Sequence, residues 1–578
     1  MTFTLLSRHA ASLLALIVGT PLLTSAAPLP RPSVMDRFTP QALAASGCGF
    51  APQGEGAAMA GKAAPSMPLI AGLAPIHYPV TTSVPEAQAY FDQGMALLYG
   101  FEFPKAERSF AAAVARDPSC AMCKWGEALA IGPYINSGPS GEARITRARD
   151  LTAQALASPG VSDSERALIE ALAIRYAPGG SPAQKGVHAI AFADAMKAVS
   201  DRWPNDDMIM VLAAEAAMNV RPWDYWEADN ATPRPWARKA LALVETVLAR
   251  NPGQTEAQHL YIHLTEASAT PGRAEKAADM LEISSPASAH LVHMPSHTYY
   301  RIGRFTDSVA VNRQAILVDE AMARRLNEDS RFYGYFTHHS HFMLSAAEQI
   351  GDRETALKAA EGLEAAITPA KVAAMPRLQS RLISAFQARA QFARNLDDLL
   401  AIPQPDARLP EARQIWWALR AEALGRAGRK AEATREIRTM REARGRTAIA
   451  KDSLPLVKLA ETIALARIAE GKGQTRKAVR LLQAAAGIES KFAYNEPPLW
   501  HQPVDAALGA LLLRTGDARG AKLAFERALA RRPGNGWVLW GRAQAEAKLG
   551  DRAAMERTLA LHRRNWVGGA DERLLARL

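Results

Sequence analysis

Apolar residues begin to return every three to four positions at "VPEAQAYFDQGMALLYG" (84–100), and this helical period continues almost to the C-terminus. Ala, Leu, Arg and Glu dominate and β-branched residues are sparse, which favours helix. Residues 27–76 carry little periodicity and are rich in Pro, Ala and Gly, so they are expected to form a mostly disordered linker. Before them lies "ASLLALIVGTPLLTSAA", an apolar run behind Arg8 and His9 that ends in small residues. It reads as a secretory signal cleaved near Ala26, with residues 1–26 removed. No later apolar run is long enough to span a membrane. At 578 residues the chain is too long for one ordinary core, so several domains or a repeat array are expected.

A longer period lies within the helical one. In "QPVDAALGALLLRTGDARGAKLAFERALARRPGN" (502–535), Gly509, Gly516, Ala521, Phe525, Ala528 and Pro533 take positions 8, 15, 20, 24, 27 and 32 of a 34-residue unit. The same frame fits residues 87–120 through Gly94, Ala106, Phe110, Ala113 and Pro118. Fainter copies occur at 414–447 (Gly428, Ala433) and 459–492 (Gly473, Ala478). The chain thus resembles the tetratricopeptide repeat family over most of 77–565, with irregular spacers. The resemblance implies an all-α, right-handed α-solenoid of helix pairs. It also implies a concave face lined by the first helix of each pair, holding a protein or peptide partner. The expected domains are an N-terminal solenoid over 77–400 and a basic C-terminal solenoid over 401–578.

Eight of the chain's 13 histidines fall between 259 and 341. Pro252 and Pro286 both fit position 32, which makes 255–288 and 289–322 consecutive units, with Gly303 and Ala315 at positions 15 and 27 of the second. Gly351 and Ala356 place a third unit from 337. In this frame His259 and His263 take positions 5 and 9, and Glu266 position 12. His290, His293 and His297 take 2, 5 and 9; His338 and His341 take 2 and 5. In the family these positions face the concave side, so seven histidines and one glutamate are expected to converge, with only His339 turned away. Helix geometry agrees: i, i+4, i+7 and i, i+3, i+7 spacings each define one face. Packed helices lie about 8–10 Å apart, within reach of imidazoles converging on one ion.

Neutral imidazole ligates Cu, Zn and Fe. Four protein ligands make a structural site, while three with an open position make a catalytic one. Seven histidines exceed one ion's needs; the surplus can serve a second ion, or support and proton transfer, with Glu266 a candidate acid/base. "HMPSH" has the H-x3-H spacing of zinc peptidases without their glutamate. Met294 and Met343 lie close by and would favour copper. Without metal, the same residues would make a polar peptide-binding groove.

Other features change the picture less. Cys120 and Cys123, as C-x-x-C, are a disulfide candidate; no thioredoxin-like setting or haem-attachment histidine accompanies them. Cys48 is the odd cysteine, and it sits too far past the apolar run for a lipoprotein anchor. Trp537 and Trp540 take positions 2 and 5 of the last unit and are candidate groove aromatics. Residues 405–578 hold 33 Lys+Arg against 19 Asp+Glu, within a chain of net charge +11. This suits solvated arginine-rich faces or an anionic partner, with nothing that marks nucleic-acid binding.

The leading expectation is an exported periplasmic or secreted binding or scaffold protein holding a transition metal in its groove. The alternatives are a metal-dependent oxidoreductase or hydrolase, and a metal-free peptide adaptor. An enzyme requires an enclosed pocket beside the metal; an adaptor requires a long open groove.

Overall fold

The computed structural model describes residues 67–569, except 139 and 329–333. The leader and Cys48 lie outside them. The described chain is an array of antiparallel helix pairs from Pro85–Tyr99 to Arg552–Asn565; among the described residues no strand forms beyond two isolated bridges. None of these helices is long and apolar enough to cross a membrane.

The repeat frame has a direct physical meaning. Phe110, on the second helix of its unit, is fully buried between Gly94 and Gly126 of the two flanking first helices. A Cβ at either glycine would lie 2.5 Å from its ring. Phe525 sits in the same way between Gly509 and Gly541. Close-packed interiors have no slack for an added methyl there. The glycine at position 15 ends the first helix with a left-handed residue: φ is +86° at Gly303, +72° at Gly351 and +94° at Gly516. The aspartate that follows Gly351, Gly516 and Gly550 caps the next helix, Asp517 accepting from the Gly520 amide at 2.8 Å. Glycine turn and aspartate cap together reverse the chain between paired helices.

Residues 67–76, expected as linker, are instead docked. Gln93 accepts from the Ile70 amide at 2.6 Å and donates to the Pro68 carbonyl at 3.0 Å, while the Ala287 amide donates to Gly72 at 2.9 Å. Side chains of a neighbouring helix satisfy this extended backbone, so its own composition carries no helical signal.

Two large apolar clusters flank the histidine-rich units. One runs from Met67 to Ala267 and takes in Leu326 and Tyr494, the other from Tyr300 to Ala545. The ends of the array return to the middle. The Thr255–Thr265 helix packs on Pro85–Tyr99, and Gly536–Lys548 packs on Gly334–Ile350. A non-helical strap between Glu489 and Val504 runs across the concave side. The histidine face is therefore covered, not an open groove.

Candidate metal centre

Thr255–Thr265 presents His259 and His263 one turn apart, with Glu266 at its end. Ala289–His293 and Pro295–Ile302 join through Met294, which keeps helical angles of φ −53° and ψ −37°. Pro295 thus removes a backbone donor without turning the chain, and His290, His293 and His297 stay on one face. Gly334–Ile350 adds His338, His339 and His341. None of the eight is more than 4% exposed.

Six of them form two triads. One ring nitrogen from each of His259, His263 and His290 lies within 4.8 Å of its counterparts, and the same holds for His293, His297 and His338. Nε2 of His259 is 3.1 Å from Nε2 of His290, and Nε2 of His293 is 2.9 Å from Nε2 of His297. Two nitrogens held at about 2.0–2.1 Å from one ion sit about 2.9–3.4 Å apart for angles of about 90–110°.

The far side of each ring is tied down. Glu266 Oε1 accepts from Nδ1 of His263 at 2.9 Å, and its Oε2 accepts from Nδ1 of His297, so one carboxylate spans both triads. Nδ1 of His259 faces the Tyr99 carbonyl at 2.8 Å and Glu256 at 3.1 Å. Nδ1 of His293 faces Asn312 Oδ1 at 2.6 Å. The Asn312 amide donates to the Ser308 carbonyl at 2.7 Å, which fixes Oδ1 as the atom turned to His293. Nδ1 of His293 and Nδ1 of His297 are thus turned to outer acceptors, while their Nε2 atoms face each other at 2.9 Å. A metal ion or a proton is the cation that two ring nitrogens at that distance can share. Nε2 of His263 and Nε2 of His338 are buried without a hydrogen-bond partner.

Burial sets the charge states. It holds His259, His290, His293 and His338 well below the usual imidazole range, with neighbouring histidines adding to the effect; His263 is lowered by burial as well. Neutral imidazole is the ligating form. Burial alone would raise the Glu266 carboxyl, but the pull of His297 and His263 brings it below its ordinary value. Glu496, on the strap, is pushed up to about 8 by burial and by Glu266. Its Oε2 lies 2.8 Å from His297 Nδ1, yet neither oxygen accepts a well-directed hydrogen bond.

The walls are aromatic. Phe101 stacks on His263 and His290, with ring centroids 5.6 and 5.4 Å away. Trp223 meets His263 edge-on at 5.1 Å. Both hold positive φ, +54° and +68°, a strained region for bulky residues. Phe342 packs against His293, His297 and His338.

Several expectations need correction. Glu266 sits behind two histidines as their common acceptor, and one of its oxygens also lies within 4.8 Å of ligand atoms of His297 and Glu496. His341 stands outside both triads: its Nε2 is 2.7 Å from Ser384 Oγ and 3.2 Å from Nε2 of His501. His501, bonded through Nδ1 to Glu348, borders a cavity of about 380 Å³ lined by Gln387, Leu419, Arg426 and Trp500. His339 does not turn away; its ring is 4.5 Å from His293, and Asp319 holds its Nδ1 at 2.8 Å. Met294 and Met343 belong to apolar clusters. Trp537 is buried and donates to the Glu348 carbonyl at 2.7 Å, because the last repeat closes on that helix; Trp540 packs against His562. Cys120 and Cys123 are joined in a disulfide with Cα atoms 5.3 Å apart.

Sequence reasoning missed Phe101, Glu256, Asn312, Glu496 and His501. Two of these had a signal. Phe101 occupies position 15, where the frame carries glycine, and Asn312 position 24, where it carries phenylalanine. The strap residues lie in an irregular spacer with no frame to place them.

The chain is a solenoid of tetratricopeptide-type helix pairs, as the glycine–phenylalanine packing defines it. No protein-family model and no curated protein matches it. Similar solved structures include the human IFIT1 dimer with PPP-AAAA, at 11% identity and a TM-score of 0.29 over 84% of this chain and 91% of that one. Ypp1 matches at 9% identity and a TM-score of 0.35, over 85% and 89%. The P58(IPK) TPR domain matches at 14% and 0.20, over 80% and 98%. These likenesses are distant and concern the fold alone.

Proposed function

We propose that this protein is an exported binding or scaffold protein whose concave side encloses a pair of transition-metal ions, one in each histidine triad. The two triads of converging ring nitrogens carry the reading, with Nε2 of His263 and Nε2 of His338 buried and without a hydrogen-bond partner. A buried acceptor without a donor costs about 1–3 kcal/mol. A metal ion turns that cost into coordination. Glu266, Asn312 and the Tyr99 carbonyl supply the outer acceptors that orient metal-bound imidazoles. The covered face speaks against a long peptide groove at this place.

Metal-dependent catalysis is the second reading, favoured by three-nitrogen sets that leave a coordination position for another ligand.

The test is elemental analysis of untagged protein from the extracytoplasmic fraction, purified without chelator. Two equivalents of metal are expected in the wild type and none in the His263→Ala, His297→Ala double variant. Equal metal in both places the ligands elsewhere. No metal in either, even after reconstitution, leaves a proton as the shared cation and ends the reading.

A further inference from the structure

Given the two-ion reading above, an ion has to reach two triads whose histidines are all buried. The cavity beside His501 leads toward them. Its lining passes from exposed Asn395 and Ala427 to His501 and Glu348, each 1% exposed.

Nε2 of His501 lies 3.2 Å from Nε2 of His341, within the separation of two nitrogens on one ion. Ser384 Oγ stands 2.7 Å from the same His341 atom and adds a neutral oxygen. Glu348 bonds Nδ1 of His501, and Gln387 accepts from the His501 amide at 3.2 Å, so the ring is held from behind and through its backbone. Glu266 serves His263 and His297 in the same way.

His341 connects inward. It sits three residues from His338 on Gly334–Ile350, so the two side chains are neighbours on one face, about 5–6 Å apart at Cβ. His338 belongs to the second triad, its ring centroid 4.7 Å from that of His293. The second triad meets the first through His297 and His263, at 5.8 Å, and through His293 and His290, at 6.0 Å. Imidazoles thus follow one another from the cavity to His259. Arg381 lies beside both His338 and His341. Two nitrogens next to a guanidinium hold a cation less firmly than three, which suits passage rather than storage.

We infer that His341 and His501 form a third, two-nitrogen site for a transition-metal ion, through which metal enters from the cavity and passes to the second triad and then to the first.

The experiment mixes metal-free protein with zinc sulfate and, in parallel, with copper(II) sulfate, and follows uptake and release with 4-(2-pyridylazo)resorcinol. A site of passage speeds entry and exit alike, so its loss slows both and leaves affinity unchanged. His501→Asn is expected to fill to the same two equivalents with the same affinity, about 10–100-fold more slowly in each direction, as occupancy of the pair falls. Ala423→Trp, on the cavity wall, leaves every histidine in place and should slow both directions as well. Circular dichroism checks the fold of each variant. Wild-type rates in either folded variant overturn the inference and assign entry to movement of the strap, with the two-ion reading intact. Weakened affinity in His501→Asn overturns it too, since His501 would then support the centre rather than feed it. Failure of both metals to bind the wild type ends both readings.

Discussion

Asn312 shows how single residues declare this site. Position 24 carries phenylalanine in the clearest units, where Phe110 and Phe525 fill the gap between glycines. At Asn312 that packing role is replaced by one hydrogen bond to His293 and one to the Ser308 carbonyl. Leucine has nearly the same shape and no acceptor. Asn312→Leu is therefore expected to weaken metal in the second triad by about 10–100-fold, the usual cost of losing an outer acceptor, and to leave the first triad loaded. Chelator competition on the two-ion protein would show one site softened; an unchanged profile would make Asn312 a packing residue. Phe101 is the parallel case, with a side chain kept at position 15 at about 1–3 kcal/mol of backbone strain. The histidines were legible because period and frame agreed on one face. Phe101 and Asn312 were legible only as departures from the frame, and Glu496 and His501 had no local pattern.

At the level of helices the sequence was most informative. The glycines at positions 8 and 15 and the aspartates after the turn specify pair geometry through hard contacts and caps, so they survive in any unit that keeps the fold. The same physics separates two glycines that look alike in sequence. Gly126 faces the Phe110 ring at 2.5 Å from a would-be Cβ; Gly362, inside Arg353–Ala366, has nothing within 4 Å. Gly126→Ala should destabilise by about 1–3 kcal/mol through overpacking. Gly362→Ala should stabilise by about 0.5–1 kcal/mol through helix propensity. Urea unfolding of both variants checks the contrast, and equal effects would mean that Phe110 is not pinned between its neighbours. The docking of residues 67–76 was not legible, because the side chain that holds them, Gln93, lies on another element.

For the whole molecule the decisive fact is that the array folds back on its own middle, which repeat statistics do not encode. The surplus arginines of the C-terminal half are partly answered within it, as Arg441 and Arg444 are by Glu461. Closure over the histidines is made by the strap, which brings Glu496 to 2.8 Å from His297 and Tyr494 to 3.4 Å from Glu266. Its second residue beyond the helix end, Lys491, is exposed and offers trypsin a cleavage point. A strap that carries a buried carboxylate with no well-directed donor is held below its best stability while the centre lacks a cation. Filling the triads supplies positive charge beside Glu496 and should tighten the strap, since a ligand favouring the closed state lowers the population of open ones. Trypsin is therefore expected to cut after Lys491 several-fold more slowly in the metal-loaded protein. Glu496→Gln should remove most of that difference, because the amide gains nothing from the added charge. Cleavage at equal rates with and without metal would show that strap and centre are energetically independent. Protection in Glu496→Gln as strong as in the wild type would assign the coupling to Tyr494 or His501 instead.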